Sequence, residues 1–107
     1  MTTISEETIF QIILHGGDGR SLAMEAIAFA KSGDIAGAEV KLKESEAAIN
    51  QAHHIQTSLI QEEVKGNHSL VSLLMVHAQD HLMNSITVKD LAKEMIDMYK
   101  LIYKKAE

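Results

Sequence analysis

Apolar residues recur at helical spacing along almost the whole chain, in three segments separated by two short breaks. The first break contains Gly33, which suits a helix C-terminus, and Asp34, which suits the N-cap of the next helix. Gly66 and Asn67 form the second break. In the first segment the period is close to 3.6 residues: Ile9, Ile12, Ile13, Ala23, Ile27 and Ala30. The pattern predicts an all-α chain of three helices, at about residues 4–32, 35–65 and 68–105.

Two features bear on the extent of the first helix. Thr3 and Glu6 have the spacing of a capping box, which predicts a start near Thr3. Three glycines between Gly16 and Gly19 each cost about 1 kcal/mol relative to Ala in a helix interior. Because the periodicity resumes in phase after Arg20, we expect one continuous helix whose small residues let a neighbouring backbone approach. No strand precedes the glycines, so they do not predict a phosphate-binding loop.

The third segment differs from the other two, because its apolar residues from Leu70 to Met83 cover nearly the whole circumference of a helix. A three-helix bundle buries only one stripe of each helix. The surplus therefore predicts an oligomer with the third helix at its centre. In the second helix, the inward positions are expected at Ile35, Ala38, Leu42, Ala48, Ile49, Ala52, Ile55, Leu59 and Ile60. Core and gap-filling roles are expected for Met24, Met75, Met83, Met95 and Met98.

Composition supports a single helical domain, 1–107, and excludes several function classes. Proline is absent and Ala, Leu, Glu, Lys and Met are abundant, which favours helices. Ten basic and 15 acidic residues give a net charge of −5, whereas nucleic-acid binding needs clustered Lys and Arg. The absence of cysteine excludes disulfides and thiol chemistry. With no secretory signal and no membrane-length apolar run, we expect a soluble, intracellular protein without direct membrane insertion.

The candidate chemistry lies in the third helix, at His77, Asp80 and His81. The two histidines are one helical turn apart on one face, with the carboxylate beside them. A lone carboxylate and two imidazoles in a mostly apolar segment carry a desolvation cost that needs a reason. They could be part of a zinc site, a reactive imidazole with supporting groups, or structural polar residues at an interface. Spacing alone leaves the three open, although the absence of a His-Glu-x-x-His motif disfavours a zinc hydrolase.

Adjacent His53 and His54 on the second helix point about 100° apart, so at most one can join any given site. We assign them no role. Gln56 and Thr57 follow them and could meet the third helix, where they would help to orient an imidazole.

Residues 76–85, Val-His-Ala-Gln-Asp-His-Leu-Met-Asn-Ser, resemble the signature of the lactose/cellobiose family of IIA components of the bacterial sugar phosphotransferase system. One departure is Gly19, where the family pattern leads us to expect Ala. The Leu-Leu-Met-Val-His-Ala-Gln run is more similar to the cellobiose/chitobiose branch than to the lactose branch. The resemblance covers nearly the whole chain through further motifs in family order: Gly17-Asp18-Gly19-Arg20-Ser21, Glu25-Ala26, Ala30-Lys31-x-Gly33-Asp34, Ala52-His53-x-x-Gln56-Thr57, Leu59-Ile60 and Asp90-Leu91.

The resemblance implies a cytoplasmic homotrimer of up-down-up three-helix bundles that relays phosphate. The phosphocarrier HPr would donate a phosphoryl group to Nε2 of His77. A cysteine of the cognate IIB component would then accept it and phosphorylate a β-linked disaccharide entering through the membrane component IIC. The resemblance also implies that Asp80 lies on the trimer axis, where three copies share a divalent cation, Mg²⁺. His81 would donate a hydrogen bond to the phosphoryl oxygens, with Gln79 and Gln56 as further supporting residues.

Two other functions stay open. A histidine phosphotransfer domain of two-component signalling is also helical, but that group typically shows His-x-x-Lys-Gly, whereas Ala78-Gln79-Asp80 follow His77. A structural helical oligomerisation module without chemistry is the other alternative. The sequence does not identify the sugar, because a IIA component does not contact it in the implied scheme.

Overall fold

Three long helices form an up-down-up bundle in the computed structural model, which describes residues 3–106. The helices are α1 (Glu6–Lys31), α2 (Ile35–Val64) and α3 (Leu73–Ala106). Contacts between their ends show that α2 is antiparallel to α1 and α3, whereas α1 and α3 run in parallel. The bundle measures 61 × 21 × 18 Å. The predicted three-helix fold class is confirmed.

The start of α1 differs from the prediction in its cap. Ser5 is the N-cap, because its hydroxyl accepts a 3.1 Å hydrogen bond from the backbone N–H of Thr8. The predicted capping box of Thr3 and Glu6 is therefore wrong. A serine oxygen that accepts from the third residue beyond it satisfies one of the unpaired N–H groups of the first helical turn.

The helix α1 runs unbroken through Gly16–Gly19, as predicted. At Gly19 the reason is the close approach of α2, because a methyl group there would overlap Cγ1 of the Ile49 side chain. The Ser45 hydroxyl donates a buried 2.5 Å hydrogen bond to the Gly19 carbonyl oxygen at the same crossing. The close packing of α1 against α2 therefore explains glycine at this position, where the resemblance leads us to expect alanine.

Both predicted breaks are confirmed, and glycine forms each of them with a positive φ. Gly33 has φ of 96° and Gly66 has φ of 97°, a conformation that side chains with a Cβ rarely adopt. Asp34 is the N-cap of α2, because its Oδ1 accepts a 2.8 Å hydrogen bond from the Gly37 N–H.

The third helix begins at Leu73, later than the predicted start at residue 68 or 69. Ser72 caps it: the Ser72 hydroxyl accepts from the Met75 N–H at 3.1 Å, and the Ser72 carbonyl accepts from the Val76 N–H at 3.0 Å. The residues between Gly66 and Ser72 therefore form a connection outside the helices, and two of its members, Leu70 and Val71, expose apolar side chains.

Two clusters of buried residues make the core, one toward each end of the bundle. One cluster uses large aliphatic side chains and lies beneath the turn of α3 that carries the candidate histidines: Ile9, Ile12, Ile49, Ala52, Met75, Ala78 and Leu82. The other is rich in alanine: Ala23, Ala26, Ala30, Ala38, Leu42, Ala92 and Ile96. The candidate site thus stands on the cluster with the larger side chains.

Several residues predicted to be internal are exposed. Ile60 is 47% exposed, and of the five methionines expected in the core only Met75 is buried. We define the outer stripe of α3 as its side opposite the core. It contains the acidic residue Asp80, which is 61% exposed. Its apolar members are 48–86% exposed: Leu73, Val76, Met83, Leu91, Met98 and Leu101. The predicted apolar surplus of α3 is therefore present on the surface of the single chain.

Within residues 3–106, no helix combines the length and apolarity that crossing a membrane requires.

Candidate functional site

The first turns of α3 bring His77, Asp80 and His81 to one side of the helix. The His77 side chain is 62% exposed, and its Nδ1 lies 3.5 Å from Oδ1 of Asp80, which is 61% exposed. An imidazole whose Nδ1–H points to a carboxylate carries its lone pair on Nε2. In that tautomer Nε2 would be the nucleophilic nitrogen, and the exposed side chain leaves the ring open to a partner.

The imidazole of His81 lies beside that of His77, with ring centroids 5.9 Å apart and ring planes inclined by 30°. His81 is half-buried because its other side packs on the backbone of α1. A methyl group on Gly17 would lie 3.2 Å from Nε2 of His81, and one on Gly16 would lie 3.6 Å from its Cδ2. The glycines in α1 that were predicted to allow a close approach thus give space to a residue of the candidate site.

The two candidate glutamines pair with each other on another side of α3. The buried Gln56 amide donates a 2.5 Å hydrogen bond to Oε1 of Gln79 and lies 3.9 Å from the Met83 sulfur. The contact between Gln56 and α3 is as expected, but Gln79 lies about 200° around α3 from His77. The glutamines therefore do not line the His77 site of the same chain. Their supporting role stays a prediction, in which the Gln56–Gln79 hydrogen bond would help to hold α3 in position.

An apolar groove of about 150 Å³ opens near the N-terminal end of α3. The exposed residues of the connection, Leu70 and Val71, form one wall, and Ile60 of α2 contributes to another. Sequence reasoning missed this surface because it placed Leu70 and Val71 inside the helix. The groove borders the turn of α3 that carries His77, but on the side of the helix where Gln79 lies. An exposed apolar surface of this kind is suited to docking a protein.

One chain does not assemble a metal site. Within the part of the chain that the structure describes, no three His, Cys, Asp or Glu side chains converge as ligands. A zinc site built by His77, Asp80 and His81 of a single chain, one of the alternatives from the sequence, is therefore not supported.

The remaining histidines lie apart from the site. His15 is paired with Oε1 of Gln11 at 2.9 Å, and His68 lies 3.8 Å from Glu63. His53 and His54 are exposed on α2. Only His77 and His81 share a site.

Residues 7–100 match the family model of the PTS system, Lactose/Cellobiose specific IIA subunit. The lichenan-specific phosphotransferase enzyme IIA component of Bacillus subtilis (strain 168) is 60% identical over 97 residues, which cover 91% of this chain and 88% of that protein. The N,N'-diacetylchitobiose-specific EIIA component of Escherichia coli (strain K12) is 41% identical over 95 residues, covering 89% and 82%.

Solved structures agree with these relatives. The crystal structure of the cellobiose-specific enzyme IIA from Bacillus anthracis is similar at a TM-score of 0.91 with 52% identity, covering 98% of this chain and 96% of that one. The IIA(chitobiose) subunit in solution structures of the IIA(chitobiose)–HPr complex from E. coli is similar at a TM-score of 0.80 with 39% identity, covering 92% and 95%.

Proposed function

The chain belongs to the lactose/cellobiose-specific IIA family of the phosphotransferase system. We propose that His77 is the residue on which this protein carries the phosphoryl group. The chain is a phosphotransferase component that acts as a phosphocarrier, with HPr as donor and IIB as acceptor. Family membership excludes the two alternatives of a two-component phosphotransfer domain and a purely structural module. The observation that supports His77 is its exposed imidazole, with Nδ1 facing Asp80 and Nε2 accessible.

In the proposed reaction, Nε2 of His77 attacks the phosphorus of phosphorylated HPr. The P–N bond to HPr breaks as the new P–Nε2 bond forms, and the HPr imidazole leaves with the electron pair. The attack uses the lone pair of Nε2 in the neutral imidazole. The Asp80 carboxylate near Nδ1 stabilises the positive charge that develops on the ring. Phosphoryl transfer then requires in-line positioning and stabilisation of the phosphoryl oxygens.

His81 is proposed to supply part of that stabilisation. Its ring lies 5.9 Å from that of His77, so a phosphoryl group between them could accept a hydrogen bond from it. The apolar groove at the N-terminal end of α3 would offer the docked partner a further contact surface.

The second half-reaction delivers the phosphoryl group to IIB. We propose that a cysteine thiolate of IIB attacks phosphorus, forming a P–S bond as the P–Nε2 bond of His77 breaks. The chain itself contains no cysteine, so the thiolate must come from the partner. For this reaction we propose a cytoplasmic location, where HPr and the IIB component would meet the protein.

Radioactive phosphoenolpyruvate with enzyme I and HPr tests the assignment of His77. Wild-type protein should be labelled, and His77→Ala should not. His54→Ala, which removes an exposed histidine of α2, is the matched control and should be labelled as wild type is. Label retained on His77→Ala would refute the proposal.

For the transported sugar we propose a β-linked disaccharide of the cellobiose or chitobiose type. The support is the identity to lichenan-, cellobiose- and chitobiose-specific relatives. Labelled protein should transfer phosphate faster to a IIB component of a cellobiose system than to one of a lactose system. A faster transfer to the lactose IIB would contradict this sugar class.

We further propose a homotrimer in which the outer stripes of three α3 helices meet. Leu73, Val76, Asp80 and Met83 have alternating spacings of three and four residues, as in the seam of a coiled coil. Exposed apolar residues before and after Asp80 on this stripe would be buried by the assembly.

Asp80 would then meet its two copies at the centre of the trimer. Three carboxylates in a low-dielectric interior repel one another unless a cation or protons neutralise them. Carboxylate oxygens fit Mg²⁺, a hard cation, so three copies of Asp80 could hold it and would gain neutralisation of their charge.

Elemental analysis combined with sedimentation tests the metal and the axial position together. Wild-type trimer should contain one divalent cation for every three chains, and Asp80→Leu should contain none. The variant should stay trimeric or associate more tightly, because apolar packing replaces a repulsive cluster. A monomeric Asp80→Leu would exclude the axial position, and a metal-free wild-type trimer would exclude the metal.

A further inference from the structure

The two adjacent glycines under His81 differ in how closely they approach its ring. A methyl group on Gly16 would lie 3.6 Å from Cδ2 of His81 and 3.6 Å from Cα of Leu82, which is ordinary van der Waals contact. A methyl group on Gly17 would lie only 3.2 Å from Nε2 of His81 and 4.0 Å from its Cε1. Alanine therefore fits at position 16, whereas at position 17 it would require the imidazole to move.

The ring that Gly17 supports is the one that neighbours His77. His81 is confined on one side by the α1 backbone and lies near the His77 ring on the other. A hydrogen bond to a phosphoryl oxygen needs a donor–acceptor distance of about 2.7–3.2 Å. A displacement of the His81 ring by a fraction of an ångström therefore changes whether that bond forms.

We propose that Gly17 is a positioning residue for phosphoryl transfer. By presenting no side chain, it lets the His81 imidazole lie against α1 and fixes the position of that ring beside the His77 ring. The inference rests on the proposed function, in which His81 donates a hydrogen bond to the phosphoryl group on His77. Gly17 acts only through His81 and does not touch the phosphoryl group itself.

The experiment measures the rate of phosphoryl transfer from phosphorylated HPr by rapid quench. Gly17→Ala should slow transfer about 3-fold, and Gly17→Leu about 10-fold, because misplacement of a supporting group grows with side-chain size. Gly16→Ala is the matched control, with the same gain in helix propensity, and should stay within about 2-fold of wild type.

A double-mutant cycle separates positioning from general damage to the fold. If Gly17 acts through His81, Gly17→Leu should cause no further slowing in a His81→Ala background. The imidazole nitrogen resonances of His81 should shift in Gly17→Ala and stay in place in Gly16→Ala. If Gly17→Leu does not fold, Gly17→Ala replaces it in the double-mutant cycle.

Three results would overturn the inference. Gly17 variants that transfer phosphate as fast as Gly16→Ala would show that the close contact between Gly17 and the His81 ring is not needed. Equal slowing by Gly17→Leu with and without His81 would show a structural effect. Full activity of His81→Ala would remove the hydrogen bond on which the inference depends, and continued labelling of wild type but not His77→Ala would still uphold the phosphocarrier site.

Discussion

The two faces of α3 are both apolar, yet only one of them is buried within the chain. The inner face, which includes Ala78, Leu82 and Ile96, forms part of both core clusters. The outer stripe has residues of similar hydrophobicity, such as Leu73 and Leu101, that are more than half exposed. One helix therefore carries two hydrophobic surfaces, one for folding the chain and one for the proposed assembly of chains.

The comparison teaches that folding and assembly can be disturbed separately. A change on the inner face should lower the stability of every chain at any protein concentration. A change on the outer stripe should act on association, so its effect should depend on concentration.

The largest effect is expected from charges on the outer stripe. Met98→Lys combined with Leu101→Lys would place six ammonium groups in the centre of the proposed trimer, and burying unpaired charges costs several kcal/mol each. Sedimentation should fall from about three times the 11.8 kDa chain mass to a single chain. Val40→Lys, at an exposed site on α2, should leave the trimer intact. A trimeric double variant would refute the assignment of this stripe to assembly.

The next largest effect is expected on the inner face. Leu82→Ala should lower the free energy of unfolding by about 2–5 kcal/mol, because Leu82 is fully buried in the aliphatic cluster. Urea denaturation followed by circular dichroism measures the loss, which should be present at low and high protein concentration. Leu101→Ala is the matched control, whose loss should disappear on dilution. Equal concentration dependence for both variants would break the distinction between the faces.

A smaller effect is expected where α1 crosses α2. Gly19→Ala should lower stability by up to about 2 kcal/mol, since overpacking costs about 1–3 kcal/mol and alanine returns about 1 kcal/mol of helix propensity. Thermal and urea unfolding measure it. The loss caused by Gly19→Ala should shrink in an Ile49→Ala background, because the overlapping Cγ1 is gone and only the close approach to the Ser45 carbonyl oxygen remains. An equal loss of stability in the Ile49→Ala background would show that contact with Ile49 is not its cause.

The smallest effect is expected at an exposed ion pair between α2 and α3. A hydrogen bond from Lys100 lowers the pKa of the Glu39 carboxyl, and the same bond raises the pKa of Lys100. The pair therefore stabilises the fold above the ordinary glutamate pKa of about 4.3, and the contribution is lost as pH falls through the lowered value. It is lost again at alkaline pH, above the raised pKa of Lys100.

Glu39→Gln should accordingly lower Tm slightly at pH 7, and this difference should shrink as pH falls below the ordinary glutamate pKa of about 4.3. Glu46→Gln on the same helix controls for the loss of one charge. A Tm difference of the same size at pH 3 would assign the effect to something other than this ion pair.

Local chemistry explains why much of the fold could be predicted. Gly33 and Asp34 form their break through a positive φ and an N-cap, which depend on neighbouring residues alone. The shared face of His77 and His81 follows from helical geometry. The start of α3 could not be predicted in the same way, because the apolar pattern continues through Leu70 and Val71 and several serines could serve as its cap.

The exposure of residues on α3 and the contacts between helices could not be predicted, because they depend on tertiary packing. The sequence showed that α3 is apolar on several sides, but it did not show that Met83 and Met98 would be exposed in the chain. It suggested that glycines in α1 admit a close neighbour without identifying that neighbour as His81. Such pairings join residues more than sixty positions apart, and periodicity within one helix contains no signal for them.

The order of the helices along the chain has a consequence during synthesis on the ribosome, because α3 packs against both earlier helices and is made last. The hairpin of α1 and α2 can form first, but its groove stays without a third helix until α3 is made. Gly17 then acquires its imidazole, and the Lys31 carbonyl acquires its 2.7 Å hydrogen bond from the Tyr103 hydroxyl. The proposed phosphoryl acceptor His77 and the outer stripe are made on the same helix, so an unfinished hairpin would lack both the proposed site and the proposed assembly surface.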